Sequence, residues 1–376
     1  MRVTPRATAR QRFWVATTMG EVKEEEMTNA SGKASGERQQ MSRRKQPEMP
    51  APVPAATARH RVLVPPGGAI PVTPPVISRY TIGGYTANFG VFFENTLGSD
   101  GQPLADAILG SCEQDLSQLR SFFGGVSTGR FSVFIDAGSQ YWAYHESCAS
   151  TEIHCVNVAY DAPDGELENF LNCAEVDEVL MAVQAKGWDC GASAGEGLSR
   201  VLATELHPAG LNTSLANFSS AHYWLNSARP DWVTQTGTDH DRVPIGCATL
   251  FINYLRHQLR FSLAQIVQAG GTTLQQTYEQ LTGCTDAFGP FASLLEAAFP
   301  PGVTVDLPND NPFPLCEVPD VMNEPAQLAS KDVLLSGLAP KFTGTGQIVN
   351  SQTPIAGKVV SGGSIVSMHL VQDKTP

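Results

Sequence analysis

The chain has 376 residues, 42% hydrophobic and 16% charged, which is enough for roughly two to three domains and a sizeable core. No stretch approaches the roughly 18 to 20 consecutive apolar residues of a membrane-spanning helix, so no membrane span is expected, and collagen-like and coiled-coil compositions are absent. The formal charge of −12 is uneven: residues 1–60 hold eleven Lys and Arg against six Glu (+5), and residues 61–376 hold the other fourteen basic and thirty-one acidic residues (−17), a body that repels phosphate backbones and makes nucleic acid an unexpected partner.

Residues 1–50 are rich in Arg, Glu, Ser and Gln, and prolines punctuate residues 50–75. Neither stretch buries enough apolar surface to offset chain entropy, so 1–76 is expected to be a disordered basic arm and an extended linker. FWVA at 13–16 is too short for the apolar region of a signal peptide, which leaves a cytoplasmic protein or a true start elsewhere as alternatives. Residues 103–123 place Leu104, Ile108, Leu116, Leu119 and Phe123 at near-helical spacing before Gly124-Gly125, and one helix is expected. FSVFID at 131–136 and YWAYH at 141–145 read as a strand pair, with IHCVNVAY at 153–160 as a further strand.

After Pro163 the pattern turns helical. Residues 168–186 are apolar on most sides, which predicts a helix buried in the middle of the domain. Further helices are expected at 194–207, 245–260, 263–269, 273–282 and 290–298, several stopped by Gly or Pro. A sheet beside a helical bundle makes residues 77–316 an α+β domain. Residues 317–376 form a separate small module. It is expected to contain a short helix whose Ala326, Leu328 and Leu335 face a sheet, then two or three strands around turns at Pro354–Gly357 and Gly362–Gly363.

The buried helix carries Glu168, Glu175 and Glu178. Acids on an apolar helix either form one solvated stripe or meet a cation or a base. The next helix opens with Ser193-Ala-Gly-Glu196, which fits a capping box; an ion pair from Glu196 to Arg200 one turn on is the other structural reading. The eight cysteines contain no CxxC pair, which gives a four-thiolate zinc little support. Cys148 and Cys155 are the expected local bridge in an oxidising compartment, while Cys173 and Cys190 are open to either a thiol or a disulfide reading. No GxSxG elbow is present, no partner base for a cysteine is identifiable, and lone histidines such as His207 or His257 read as structural.

Together the two acidic helices resemble the core of gluzincin-type zincin metallopeptidases, in which an HExxH helix supplies two zinc-binding imidazoles and a base and a second helix supplies a glutamate ligand. The resemblance covers about residues 77–315. It puts Ala174 at the first histidine, Glu175 at the general base, Glu178 at the second histidine and Glu196 at the glutamate ligand. Both imidazoles are missing. The expectation is therefore a scaffold that has lost peptidase activity, with no cofactor; the alternative is an oxygen-rich site in which Glu178 and Glu196 hold a divalent cation such as calcium or magnesium and Glu175 is the catalytic base.

The closing segment resembles a PASTA domain. Val318-Pro319-Asp320-Val321 opens it, and Val349, Ser351, Gln352, Pro354, Gly357, Val360, Gly363, Ser364 and Val366 reproduce that family's V-x-S-Q-x-P-x-x-G-x-x-V-x-x-G-S-x-V run over residues 317–372. The resemblance implies a bacterial envelope setting, with peptidoglycan or cell-wall fragments as a partner. A third reading treats the chain as an interaction protein whose helical domain docks another protein.

Overall fold

A computed structural model of the chain describes residues 79–138, 142–156, 165–213 and 217–372, all within one compact unit, Gly67–Pro376. The expected arm and linker at 1–76, and part of the strand expected at 153–160, lie outside the described residues.

The architecture is α+β. Strands β1 (Tyr80–Tyr85) and β2 (Phe89–Glu94) form an antiparallel hairpin with a bulge between Ile82 and Gly84. Helix α1 (Gly101–Phe122) carries the chain across so that β3 (Phe131–Asp136) lies parallel to β2, since parallel neighbours need a crossover. The expected face of α1 is the buried one: Leu104, Ile108, Leu116 and Leu119 are all covered.

The expected strand pair does not form. Strand β5 (Glu152–Val156) lies between β3 and β4 (Ala143–His145), parallel to the first and antiparallel to the second, giving the order β1-β2-β3-β5-β4. The reason lies in burial. Val133 and Ile135 of β3 point into the main core while Phe134 is buried on the opposite face, so β3 needs neighbours and cover on both sides; the half-exposed three-residue β4 suits the edge. On that opposite face Phe92, Phe134, His154 and Tyr144 stack in sequence across four strands, with ring centroids 5.0, 5.1 and 4.6 Å apart. Below them the Asp136 carboxylate is held by the Tyr80 hydroxyl and, at 2.8 Å, by His154 Nδ1.

The inner face of the sheet packs on α1 and on α2 (Glu166–Gln184), which with α3 (Ser193–Leu206) and α5 (Arg242–Asn253) forms the centre of the helical layer; α4 (Ala221–Leu225) is a short link. Helix α5 begins at Asp241, whose carboxylate accepts from Val243 N, and continues into a π-helical turn at Tyr254–Gln258. Helices α6 (Leu263–Ala269), α7 (Leu274–Thr282) and α8 (Phe288–Ala298) follow, α6 opened by a Ser262–Gln265 capping box. Helices α3 and α5 approach closely at Gly197: a Cβ there would stand 2.7 Å from Ala248 Cβ and 3.0 Å from Thr249 N. No described helix is long and apolar enough to cross a membrane.

Residues 318–368 build a second, small core of Val318, Val321, Ala329, Val333, Leu338, Val349, Val366 and Met368. Strand β6 (Leu315–Glu317) leads in, then α9 (Ala326–Leu335), β7 (Ala339–Gly344), β8 (Ile348–Thr353), β9 (Val359–Ser361) and β10 (Ile365–Val371). Strand β10 is central, parallel to β7 and antiparallel to β8, while β6 pairs with β9. The helix face differs from the expected one. Ala329 and Val333, four residues apart, meet the sheet, and Leu328 and Leu335 point outward at 45% and 75% exposure.

Candidate functional site

The site is built on the face that α2 turns toward the start of α3 and the edge strand β4. Glu168, Glu175 and Glu178 recur at seven and three residues, close to two helical turns and then just under one more, so they share a side of α2. That side is not a solvated stripe: Glu168, Glu175 and Glu178 are all buried, as is Asp177 on another face of the helix, because α1, α3 and β5 surround α2.

The three site residues anticipated from the sequence converge. Glu175 and Glu178 both face His145, and Glu196, in the first turn of α3, is near enough for its charge to act on both of them. A fourth member comes from β4. His145 Nε2 lies 2.9 Å from Glu178 Oε2 and 3.5 Å from Glu175 Oε2, and its Nδ1 lies 2.7 Å from the Ser147 carbonyl oxygen. A carbonyl only accepts, so Nδ1 carries a hydrogen and Nε2 is the atom that faces the carboxyls. Nothing in the residue spacing marks His145, which precedes Glu178 by 33 residues; its position depends on β4 taking the sheet edge beside α2.

Crowding sets the protonation. Burial, then the neighbouring charges of Glu178 and Glu196, push Glu175 well above the ordinary carboxyl range. Burial pushes Glu178 up to about 7 even though the His145 hydrogen bond pulls it down. Asp177 is raised by burial and by the same three glutamates, and neither of its oxygens has a hydrogen-bond partner among the described residues. Burial lowers the His145 imidazole, but the hydrogen bond and charge of Glu178 outweigh it and leave His145 above its usual value.

Glu196 is held by Arg200: Nε donates to its Oε1 at 2.8 Å, while Arg200 Nη1 donates to the Phe218 carbonyl at 2.6 Å. The ion-pair reading of Glu196 therefore holds and the capping box does not form. Ser193 instead pairs with the 237 loop, its N–H donating to Gly237 O at 3.0 Å and its hydroxyl accepting from Gly237 N at 2.9 Å. Ala192 takes the cap position without a side-chain cap.

The cysteine expectation is also corrected. Cys148, in the loop after β4, bonds to Cys190, in the connection from α2 to α3, and Cys155 is a buried thiol. Alternation along β5 turns Cys155 into the core, out of reach of its sequence neighbour. Cys173 is likewise a buried thiol. His207 is structural as expected, 3.0 Å from Asp115.

The zinc that a gluzincin core would hold does not fit these residues. Ala174 and Glu178 stand where that resemblance would put imidazoles, and Glu196 is engaged by a guanidinium. Metal-ligating atom types nevertheless cluster nearby: His145, Glu178 and Cys190 place one ligand atom each within 4.8 Å of one another, and so do Cys148, Asp189 and Cys190. A cavity of about 240 Å³ lies elsewhere, farther along α3, lined by residues including Thr204, Glu205, Asn253, Arg256, His257 and Asp310, and contains none of the anticipated site residues. No family model matches the chain, and a search of curated proteins finds no match.

Proposed function

We propose that this chain is a zincin-like protein of the bacterial envelope that has lost peptidase activity and serves as a binding or scaffold protein, with residues 317–372 acting as a PASTA-like module that associates with peptidoglycan. One observation carries the first half: at the positions of a zincin metal centre the carboxyls of Glu178 and Glu196 are already partnered, by His145 and Arg200. An ion pair closed inside the protein gives no Lewis acid and no activated water, which hydrolysis of a peptide bond on this scaffold would need. The second half is supported by the Pro and Gly spacing of the closing segment and by its own small core.

A second reading keeps an enzyme. Two buried carboxyls, Glu175 and Glu178, face one imidazole, with the half-buried Glu196 acting on both by its charge, an excess of acid that a hard cation such as calcium or magnesium would offset, with Glu178 and Glu196 as its ligands and Glu175 as base. Metal analysis of the full chain with the Cys148–Cys190 bridge intact separates the two. The scaffold reading expects no stoichiometric calcium, magnesium or zinc and no peptide hydrolysis; one equivalent of metal that is lost on Glu178→Ala overturns it. For the envelope assignment, sedimentation with purified peptidoglycan is expected to retain the full chain and to release it when residues 317–376 are removed. Equal retention of both rejects the module as the wall-binding element.

A further inference from the structure

We infer that reduction of the Cys148–Cys190 disulfide converts this corner of the molecule into a binding site for a thiophilic divalent cation, zinc, held by the two thiolates, His145 Nε2 and the Glu178 carboxylate. The site does not depend on the zincin resemblance, and its donors are not those that the resemblance assigns. Two sulfurs, one nitrogen and one oxygen are the ligand types of a tetrahedral zinc centre.

The geometry supplies each donor. His145 Nε2, a Glu178 oxygen and Cys190 Sγ already lie within 4.8 Å of one another, and Cys148 Sγ is bonded to Cys190 Sγ. Once the bond is broken, the two sulfurs part to roughly van der Waals distance, about 3.8 Å, which is also the spacing of two thiolates on a tetrahedral ion with metal–sulfur bonds of about 2.3 Å. His145 is prepared for the role. Its Nδ1 is fixed on the Ser147 carbonyl 2.7 Å away, the backbone anchor that commonly orients a ligating imidazole, and this leaves Nε2 facing the cluster. Cys148 and Cys190 sit on loops, with the side chain of Asp189 beside Cys148 at 4.0 Å, so the sulfurs can settle around an ion without moving a helix.

In the balanced step, a dithiol reductant of the thioredoxin class gives two electrons and two protons: its own sulfurs form a disulfide, the Cys148–Cys190 bond breaks, and each protein sulfur takes a proton. Zinc then displaces both thiol protons, and any proton shared by His145 and Glu178, to solvent. The loop after β4 thus stays fastened to the connection from α2 to α3 in either redox state, by a covalent bond or by an ion.

Cobalt(II) titration of the full chain tests this, with zinc added afterwards as competitor. The reduced, desalted protein is expected to bind one equivalent with a thiolate-to-cobalt charge-transfer band that zinc abolishes, and the oxidised protein to show no such band. His145→Ala is expected to weaken binding at least about tenfold, Cys190→Ser to remove the band, and Cys284→Ser to leave it unchanged. A band that persists in Cys190→Ser, or equal binding by oxidised and reduced protein, overturns the assignment. Should Cys190→Ser fail to fold, alkylation mapping of the reduced parent decides: zinc is expected to protect Cys148 and Cys190 from iodoacetamide while Cys284 reacts, and no protection rejects the site.

Discussion

Acidifying a solution of this protein from about pH 8 to about pH 5 is expected to stabilise the fold, and Glu178→Gln to remove a distinct part of that gain. The cause is the burial of Glu178, whose pKa rises from an ordinary 4.5 to about 7 in the folded chain. An acid whose folded pKa is raised binds its proton more tightly when folded, so its stabilising contribution is complete below about pH 4.5 and is lost as the pH climbs through about 7. That gap, at about 1.4 kcal/mol for each tenfold change in proton affinity, is worth about 3 kcal/mol. Glu175 and Asp177, which burial and the neighbouring carboxylates raise well above the ordinary range, act in the same sense, as does His154, which its hydrogen bonds to Asp136 and Glu152 lift to about 9 against the pull of burial. Asp310, pushed by burial up to about 6, adds to the trend. Burial lowers His222 and His257, and these two oppose it. In Asp136, Glu94 and Glu113 burial is outweighed by hydrogen bonds that hold the carboxylates low, so these groups act only at more acid pH. Urea unfolding at pH steps between about 5 and 8, followed by circular dichroism for parent and Glu178→Gln, measures the difference of slopes. If the two curves of unfolding free energy against pH run parallel, the argument from burial is refuted.

Two other expectations test the packing around the site. Reducing the Cys148–Cys190 bridge, which spans 42 residues, in metal-free buffer should lower stability by about 4 kcal/mol through the restored entropy of the unfolded chain, read as a fall in the urea midpoint. Gly197→Ala should destabilise by about 1–3 kcal/mol although alanine favours helix by about 1 kcal/mol, because the atoms its Cβ meets include the backbone nitrogen of Thr249, which cannot swing aside; a rise in melting temperature would show that α3 and α5 separate at little cost.

What could be read from the chain was what its local order encodes. The spacing of Leu104, Ile108, Leu116 and Leu119 specifies both a helix and its inward face, and the Gly and Pro stops place the later helices within a few residues of where they stand. The nearly all-round apolarity of residues 168–186 anticipates the burial of α2, and the spacing of Glu175 and Glu178 along it, with Glu196 opening the next helix, marks three acids whose charges act on one another. The hairpin of β1 and β2 was not legible, because Gly83-Gly84 interrupts its alternation at the bulge.

Other features arise only when distant segments compete for the same space. Strand β5 rather than β4 pairs with β3 because a strand buried on both faces needs the sheet centre. Ser193 gives up its capping box to Gly237, more than forty residues away, and Cys148 passes over Cys155 for Cys190, because proximity along the chain carries no weight against the direction of a side chain on a sheet. His145 reaches Glu178 by the same route, through the packing of an edge strand on a helix. Local residue order determines which elements form and where they end, since those energies act over one or two turns; the partners of each buried charge are decided only when the elements close together and exclude the water that would otherwise have solvated it.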